Sequence, residues 1–72
     1  MTYLIGLAGC SKCKAKMEEL ESKGIPYEYR EFKELPLSAK RILAEEYRDE
    51  EGVIRLPILV DDPVKYALNE VD

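Results

Sequence analysis

The order of apolar segments in this 72-residue chain predicts an α/β fold. Two strand-like runs are each followed by a segment with helical spacing of its apolar residues, and two more strand-like runs follow. Turn-forming residues separate these segments at Gly24, at Gly52 and at residues 61–63. A chain of this length forms one domain, so residues 1–72 are predicted to fold as a single unit with the order βαβαββ.

The first strand is predicted over residues 2–7 and the first helix over residues 11–23. The strand run is almost wholly apolar, as expected of a strand that is buried on both faces. In the helix, Cys13, Met17 and Leu20 recur at helical spacing and form one apolar stripe. This stripe is expected to face the sheet, while the acidic residues between its members face water.

A second strand is predicted over residues 27–32 from the alternation of tyrosines with charged residues. Ser38 is a candidate N-cap for a second helix that runs to about residue 49. This helix is expected to turn three side chains inward, those of Ile42, Leu43 and Tyr47.

The third strand is predicted over residues 53–60, and a short fourth strand over residues 64–68 pairs with it antiparallel. Because crossovers between parallel strands are right-handed, we expect the first three strands to be parallel in the order 2-1-3, with strand 4 at the edge. The two helices then lie on opposite or offset faces. Open α/β sheets carry their active sites at the carboxyl ends of the strands.

Cys10 and Cys13 lie at the junction of the first strand and the first helix. Two thiols separated by two residues can close a small disulfide ring and reopen it. The free N–H groups and the positive end of the helix dipole favour the thiolate of Cys10, and Lys12 adds a positive charge. The pattern predicts a redox pair with an exposed Cys10 and a buried Cys13; the alternatives are two inert thiols and a lysine without a role.

The composition of the chain excludes several classes of function. The net charge is −4, from 15 acidic and 11 basic residues, which argues against nucleic acid and anionic membranes as partners. The chain has no histidine, so histidine-dependent catalysis and Cys-His zinc sites are excluded. No apolar run is long enough for a bilayer and no basic leader precedes the first strand, so a cytoplasmic location is expected. A reducing compartment favours a catalytic cysteine pair over a permanent disulfide.

Over nearly its whole length the chain resembles the glutaredoxin-like branch of the thioredoxin superfamily. The resemblance rests on the Cys-Ser-Lys-Cys run at residues 10–13 and on Leu56-Pro57 before an apolar strand. It implies that Cys10 attacks, that Cys13 resolves and that Pro57 is a cis-proline packed against the pair. The residue before that proline, here Leu56, would offer backbone hydrogen bonds to the substrate. Independently of the resemblance, the positive charge of Lys12 is expected to attract an anionic substrate.

The resemblance also implies a thioredoxin-like four-stranded mixed sheet, with strand order 2-1-3-4 and without the family's final helix. The implied activity is that of a thiol–disulfide oxidoreductase acting on protein or small-molecule disulfides. Its redox group would be the Cys10–Cys13 disulfide, with no bound cofactor or metal. The implied reductant is glutathione, acting as a co-substrate, or a flavoprotein reductase.

Two departures from the family pattern lead to further expectations. The cysteine loop lacks the family's usual proline and aromatic residue, and the chain lacks the glycine-rich acidic turn that holds glutathione, so we expect weak glutathione binding. Because the final helix is also absent, we expect Ile58, Val60 and residues 64–68 to form an exposed apolar face. A weak homodimer or a partner protein would cover this face.

Two other functions remain open. A Cys-X-X-Cys loop also occurs in copper-carrying and zinc-carrying modules, whose thiolates select soft metal ions. Those modules run βαββαβ, whereas here a helical segment follows the second strand and Leu56-Pro57 would have no role. The third alternative is a thioredoxin-like interaction domain without catalytic activity.

Overall fold

A computed structural model describes residues 1–70 of the protein. Its elements are three strands and two helices, with a single 3₁₀ turn (Phe32–Glu34) before the second helix. They follow the order β1 (Thr2–Gly6), α1 (Ser11–Ser22), β2 (Tyr27–Glu31), α2 (Leu37–Tyr47) and β3 (Ile58–Val60). The strands form one mixed sheet in the order β2-β1-β3. Neither described helix is long and apolar enough to cross a membrane.

The central strand β1 pairs with β2 in parallel and with β3 antiparallel. The predicted order 2-1-3 is therefore confirmed, but the predicted parallel direction of the third strand is wrong. Ile58, the first residue of β3, pairs with Ile5 near the end of β1. The connection between α2 and β3, residues 48–57, therefore returns the chain to the end of the sheet where the carboxyl end of β1 lies. Because β3 starts from that end of the sheet, it runs antiparallel to β1, and the crossover rule for parallel strands does not apply to it.

The third strand is also shorter than predicted, because a carboxylate organises the residues before it. One oxygen of Asp49, Oδ1, accepts hydrogen bonds from the N–H groups of Glu51 at 2.9 Å and Val53 at 3.0 Å. The other, Oδ2, accepts a hydrogen bond from Arg55 Nε at 3.0 Å. Residues 49–53 form a tight turn around this side chain and contribute no strand to the sheet.

The predicted fourth strand is wrong: residues 63–69 form consecutive turns. Asp62 Oδ1 accepts hydrogen bonds from the N–H groups of Val64 and Lys65, both at 3.0 Å, as a helix-capping aspartate does. Pro63 follows the cap and suits the first position of a helical turn. Local capping chemistry thus overrides the apolar character that suggested a strand, and the described sheet has three strands instead of four.

Helices α1 and α2 lie on opposite faces of the sheet, which is one of the two predicted arrangements. Ile5 of β1 belongs to a buried cluster with Ala39 and Leu43 of α2. Its neighbour Gly6 lies against Cys13 of α1. Because successive residues of a strand point to opposite faces, α2 covers one face and α1 the other.

The start of α2 differs slightly from the prediction. The helix begins at Leu37 with Pro36 as its cap residue, so Ser38 lies inside the first turn and is not the N-cap. Leu43 is fully buried and Ile42 partly buried, as expected for an inward face. Tyr47 is 36% exposed, so its predicted inward position is wrong.

The apolar face that was expected to need a final helix is largely covered. The turns of residues 63–69 fold back onto the core, and four of the side chains concerned are at most 5% exposed: Ile58, Val60, Tyr66 and Leu68. Tyr66 Oη donates a hydrogen bond to Glu46 Oε1 in α2 at 2.9 Å, which fastens these turns to the helix. The expectation is wrong for these side chains. Leu59 at 38% and Val64 at 86% are exposed, and a weak homodimer through them stays a prediction.

Candidate active site

A tight turn brings the first cysteine to the start of α1. The N–H group of Cys10 donates a hydrogen bond to the carbonyl oxygen of Leu7 at 3.1 Å, which closes a four-residue turn. Gly9, the third residue of this turn, has a φ of 80°, in the left-handed region that glycine adopts without a steric penalty. The turn places Cys10 at the carboxyl end of β1, where the sequence predicted the site.

Cys10 is the N-cap residue of α1. Its backbone is extended, with φ −82° and ψ 111°, and its sulfur accepts a hydrogen bond from the N–H group of Cys13 at 3.3 Å. The sulfur thus takes the place of the side-chain oxygen of a serine or aspartate cap. Hydrogen bonds of this kind are stronger when the acceptor is ionised, so the cap favours a Cys10 thiolate.

Cys13 lies one turn further along α1 and is only 2% exposed. It faces the sheet directly above Gly6: a Cβ atom on Gly6 would come within 2.8 Å of Cys13 Sγ and 3.1 Å of Cys13 Cβ. The missing side chain of Gly6 therefore allows α1 to approach β1 closely and places the second thiol under the first turn of the helix. Both cysteines are free thiols in this structure.

The two thiols have pKa values displaced in opposite directions. The pKa of Cys10 is lowered, first because the Cys13 thiol donates a hydrogen bond to it, and then because the Cys13 N–H group does so. The pKa of Cys13 is raised, first by burial and then because its proton is held in the hydrogen bond to Cys10. The arrangement provides one ready nucleophile and one partner that keeps its proton.

The remaining residues of the predicted site have different positions. Lys12 is exposed in the first turn of α1, where its N–H group and its charge both contribute, more weakly than Cys13, to the lowered pKa of Cys10. The Leu56–Pro57 peptide bond is cis, as expected. Pro57 directly precedes Ile58, so it lies at the same sheet edge as the cysteine turn. The side chain of Leu56 packs against the core, which leaves only its backbone for a role at the site.

Two residues of β2 that the sequence analysis did not select, Tyr29 and Glu31, lie beside the cysteine pair. Tyr29 Oη donates a hydrogen bond to Glu31 Oε1 at 3.0 Å. Burial, followed by this bond and the charge of Glu31, raises the pKa of Tyr29 to about 12. Glu31 occupies a position where the strand alternation would place an apolar side chain, and this mismatch is the signal that could have identified it.

The structure supplies few ligands for a metal ion. Within residues 1–70, no group of three or more cysteine, aspartate or glutamate side chains is close enough together to hold one. In comparisons with protein-family models, with curated proteins and with solved structures, no match to the chain is found.

The opposite pKa displacements predict different alkylation rates for the two cysteines. We expect iodoacetamide to label Cys10 first at neutral pH, with a rate that rises with pH around a pKa below the usual thiol value of about 8.5. Cys13 should react only at higher pH. Mass spectrometry of peptides after timed labelling measures both rates, and faster labelling of Cys13 at neutral pH would reverse the two roles.

Proposed function

We propose that this protein is a thiol–disulfide oxidoreductase that uses Cys10 as the nucleophile and Cys13 as the resolving thiol. The observation that carries the proposal is the hydrogen bond from the Cys13 N–H group to the sulfur of Cys10 at 3.3 Å, at the start of α1 and beside a second thiol that is 2% exposed. A lowered thiol pKa at a helix N-terminus is typical of reactive cysteines. A buried partner at this spacing is suited to closing a disulfide.

The reaction has two exchange steps. The Cys10 thiolate attacks one sulfur of a substrate disulfide, forms a mixed disulfide and releases the other sulfur as a thiolate, which takes a proton from solvent. Cys13 then loses its proton and attacks the sulfur of Cys10. The bond between Cys10 and the substrate breaks, the substrate leaves as a second thiol, and the protein is left with a Cys10–Cys13 disulfide.

The proposed partners follow from this chemistry. The substrate is a protein or small molecule with an accessible disulfide, which Lys12 and the backbone of Leu56 beside Pro57 help to position. An external dithiol or thiol must restore the reduced pair, and we propose glutathione or a flavoprotein reductase in a cytoplasmic setting. Neither nucleic acid nor a membrane is part of this proposal.

A metal carrier explains the surroundings of the cysteine pair less well. Such a site needs both sulfurs as thiolates, because the thiolate is the metal ligand. Here burial raises the pKa of Cys13 and its proton is held in the hydrogen bond to Cys10, which opposes ionisation of both thiols together. A purely structural interaction domain would not need one thiol activated and the other protected. Both features are useful for disulfide exchange.

Insulin reduction tests the proposed function. We expect the protein to accelerate precipitation of the insulin B chain when dithiothreitol supplies electrons. With NADPH as the electron source, it should also accept electrons from glutathione and glutathione reductase, or from thioredoxin reductase. Weak coupling to glutathione is expected, so the flavoprotein reductase should give the higher rate. If insulin reduction with dithiothreitol is no faster than without the protein, the proposed function is wrong.

A further inference from the structure

We propose that Glu31 accepts the proton that Cys13 loses before it attacks Cys10, with Tyr29 holding the carboxylate in position. The inference rests on the proposed function and concerns its second step. Glu31 belongs to neither of the motifs that suggested the activity, and it comes from a different element, the edge strand β2.

The second step needs a proton acceptor. In the resting protein the Cys13 thiol donates its hydrogen bond to the sulfur of Cys10. Once Cys10 is bonded to the substrate, that sulfur carries no negative charge and is a poor acceptor. Cys13 is 2% exposed, so bulk water has little access to its proton. An acceptor within the protein would make the buried thiol reactive at the stage when it is needed.

The sheet register brings Glu31 next to Cys13. Gly6 and Glu31 are paired residues of the parallel strands β1 and β2, and paired residues direct their side chains to the same face. Cys13 Sγ lies above Gly6 on that face, 2.8 Å from the point where a Cβ atom would be. Tyr29 Cε1 lies 3.3 Å from the same point. The thiol and the tyrosine ring therefore meet over Gly6, and the carboxylate to which Tyr29 donates its hydrogen bond lies on the same face, which α1 covers.

One oxygen of the Glu31 carboxylate is free to accept the proton. Oε1 receives the hydrogen bond from Tyr29, whereas Oε2 is buried and receives no hydrogen bond from the described part of the protein. A buried carboxylate oxygen without a donor is costly, and a functional role explains why it is kept. Glu31 also lines a surface cleft of about 380 Å³ together with Glu34 and Pro36, which gives the proton a route to solvent.

Few other charged groups compete for this role. The charges that act on Cys13 come from Cys10 and Glu31, and both raise its pKa. Arg30 also lines the cleft, but its guanidinium is hydrogen-bonded to Glu28 and to Asn69. Glu34 lies in the cleft but is exposed. Glu31 is therefore the carboxylate that lies on the same face of the sheet as Cys13 and also lines the surface cleft.

Proton transfer from Cys13 to Glu31 balances the second exchange step. The Cys13 proton moves to Oε2, the new thiolate forms a bond with Cys10 Sγ, and the electron pair of the Cys10–substrate bond leaves with the substrate sulfur. The two cysteines are oxidised and the substrate disulfide is reduced to two thiols. Glu31 then loses the proton through the cleft and is a carboxylate again for the next turnover.

Glu31→Gln distinguishes the acceptor role from a purely electrostatic one, because the two predict opposite signs. The negative charge of Glu31 raises the pKa of Cys13, so removing the charge alone would make Cys13 easier to ionise and speed its attack. Removing the acceptor would slow the attack by about 10²-fold or more near neutral pH. The rate of the variant would then rise with pH as hydroxide takes over.

The experiment uses the reduced full chain and one equivalent of 5,5′-dithiobis(2-nitrobenzoate), which releases one coloured thiolate in each step. In stopped flow we expect equal first phases for wild type and Glu31→Gln, and a second phase at least about 10²-fold slower in the variant. Glu34→Gln, a control in the same cleft, should leave both phases unchanged. Glu31→Asp should restore part of the rate of the second phase, and its pH profile should resemble that of wild type.

An unchanged or faster second phase in Glu31→Gln would overturn the inference while leaving the proposed function intact. A missing first phase in wild type would instead overturn the proposed function itself. If Glu31→Gln fails to fold by circular dichroism, Tyr29→Phe provides the second test. It keeps the carboxylate and removes only its positioning hydrogen bond, so the second phase should slow while its pH profile stays that of wild type, and an unchanged rate contradicts the inference.

Discussion

Replacement of Cys10 by serine is expected to abolish insulin reduction, with a loss on the order of 10³-fold or more relative to wild type. The hydroxyl keeps the cap, because a serine oxygen accepts the hydrogen bond from the Cys13 N–H group as well as sulfur does. It does not ionise near neutral pH and therefore provides no nucleophile. The rate of B-chain precipitation with dithiothreitol measures the loss.

Because Cys10→Ser is expected to keep its fold, its loss of insulin reduction reports on the missing thiolate and not on stability. We expect the free energy of unfolding of Cys10→Ser in urea to stay within about 0.5 kcal/mol of wild type, as for substitutions that leave packing and caps in place. Lys14→Ser is the matched control, since it changes an exposed residue of the same helix that has no role at the site and leaves both thiols intact. Substantial insulin reduction by Cys10→Ser would show that another group is the nucleophile.

Gly6→Ala is expected to be the most damaging of the small substitutions near the site. The added methyl group would lie 2.8 Å from Cys13 Sγ and 3.1 Å from Cys13 Cβ, so α1 must move away from β1. Overpacking of this kind typically costs about 1–3 kcal/mol. We expect a loss of that size in the free energy of unfolding measured in urea, together with faster alkylation of Cys13.

A double-mutant cycle distinguishes this clash from a general sensitivity of β1 to substitution. Cys13→Ala removes the sulfur atom that the new methyl group would meet, so Gly6→Ala should destabilise less in the Cys13→Ala background than in wild type. The contact with the Cβ atom of residue 13 remains, so the relief is partial. Equal costs of Gly6→Ala in the two backgrounds would contradict the close approach of Cys13 to Gly6.

The parts of the fold that the sequence predicts well are those determined by local pattern. The apolar run of β1, the stripe of α1 and the turn at Gly24 each lie within a few residues. The structure has α1 at Ser11–Ser22, with Cys13 and Leu20 of the predicted stripe buried and Met17 partly buried. The burial of Cys13 follows from the same stripe, whereas Cys10, which was predicted to be exposed, is partly buried at the start of α1. These features are decided by the spacing of side chains and by helix-end chemistry, which the sequence displays directly.

Other features depend on contacts that the pattern does not contain. The direction of β3 follows from where the connection at residues 48–57 returns the chain, and no periodicity encodes that path. The apolar residues Tyr66 and Leu68 suggest a strand, but the cap at Asp62 closes turns before a strand can form. Glu31 becomes part of the site only through its pairing with Gly6, because the pairing places it beside a thiol 18 positions earlier in the chain.

The central claim, a nucleophilic Cys10 resolved by Cys13, is tested most directly by the mass of the protein after reaction with one equivalent of a small disulfide. Wild type is predicted to return to its own mass less two hydrogen atoms, with both thiols lost to an internal disulfide. Cys13→Ser is predicted to stop at a stable adduct, with half of the reagent attached to Cys10. A lasting adduct on wild type, or an adduct carried by Cys13 when Cys10 is intact, would contradict the account.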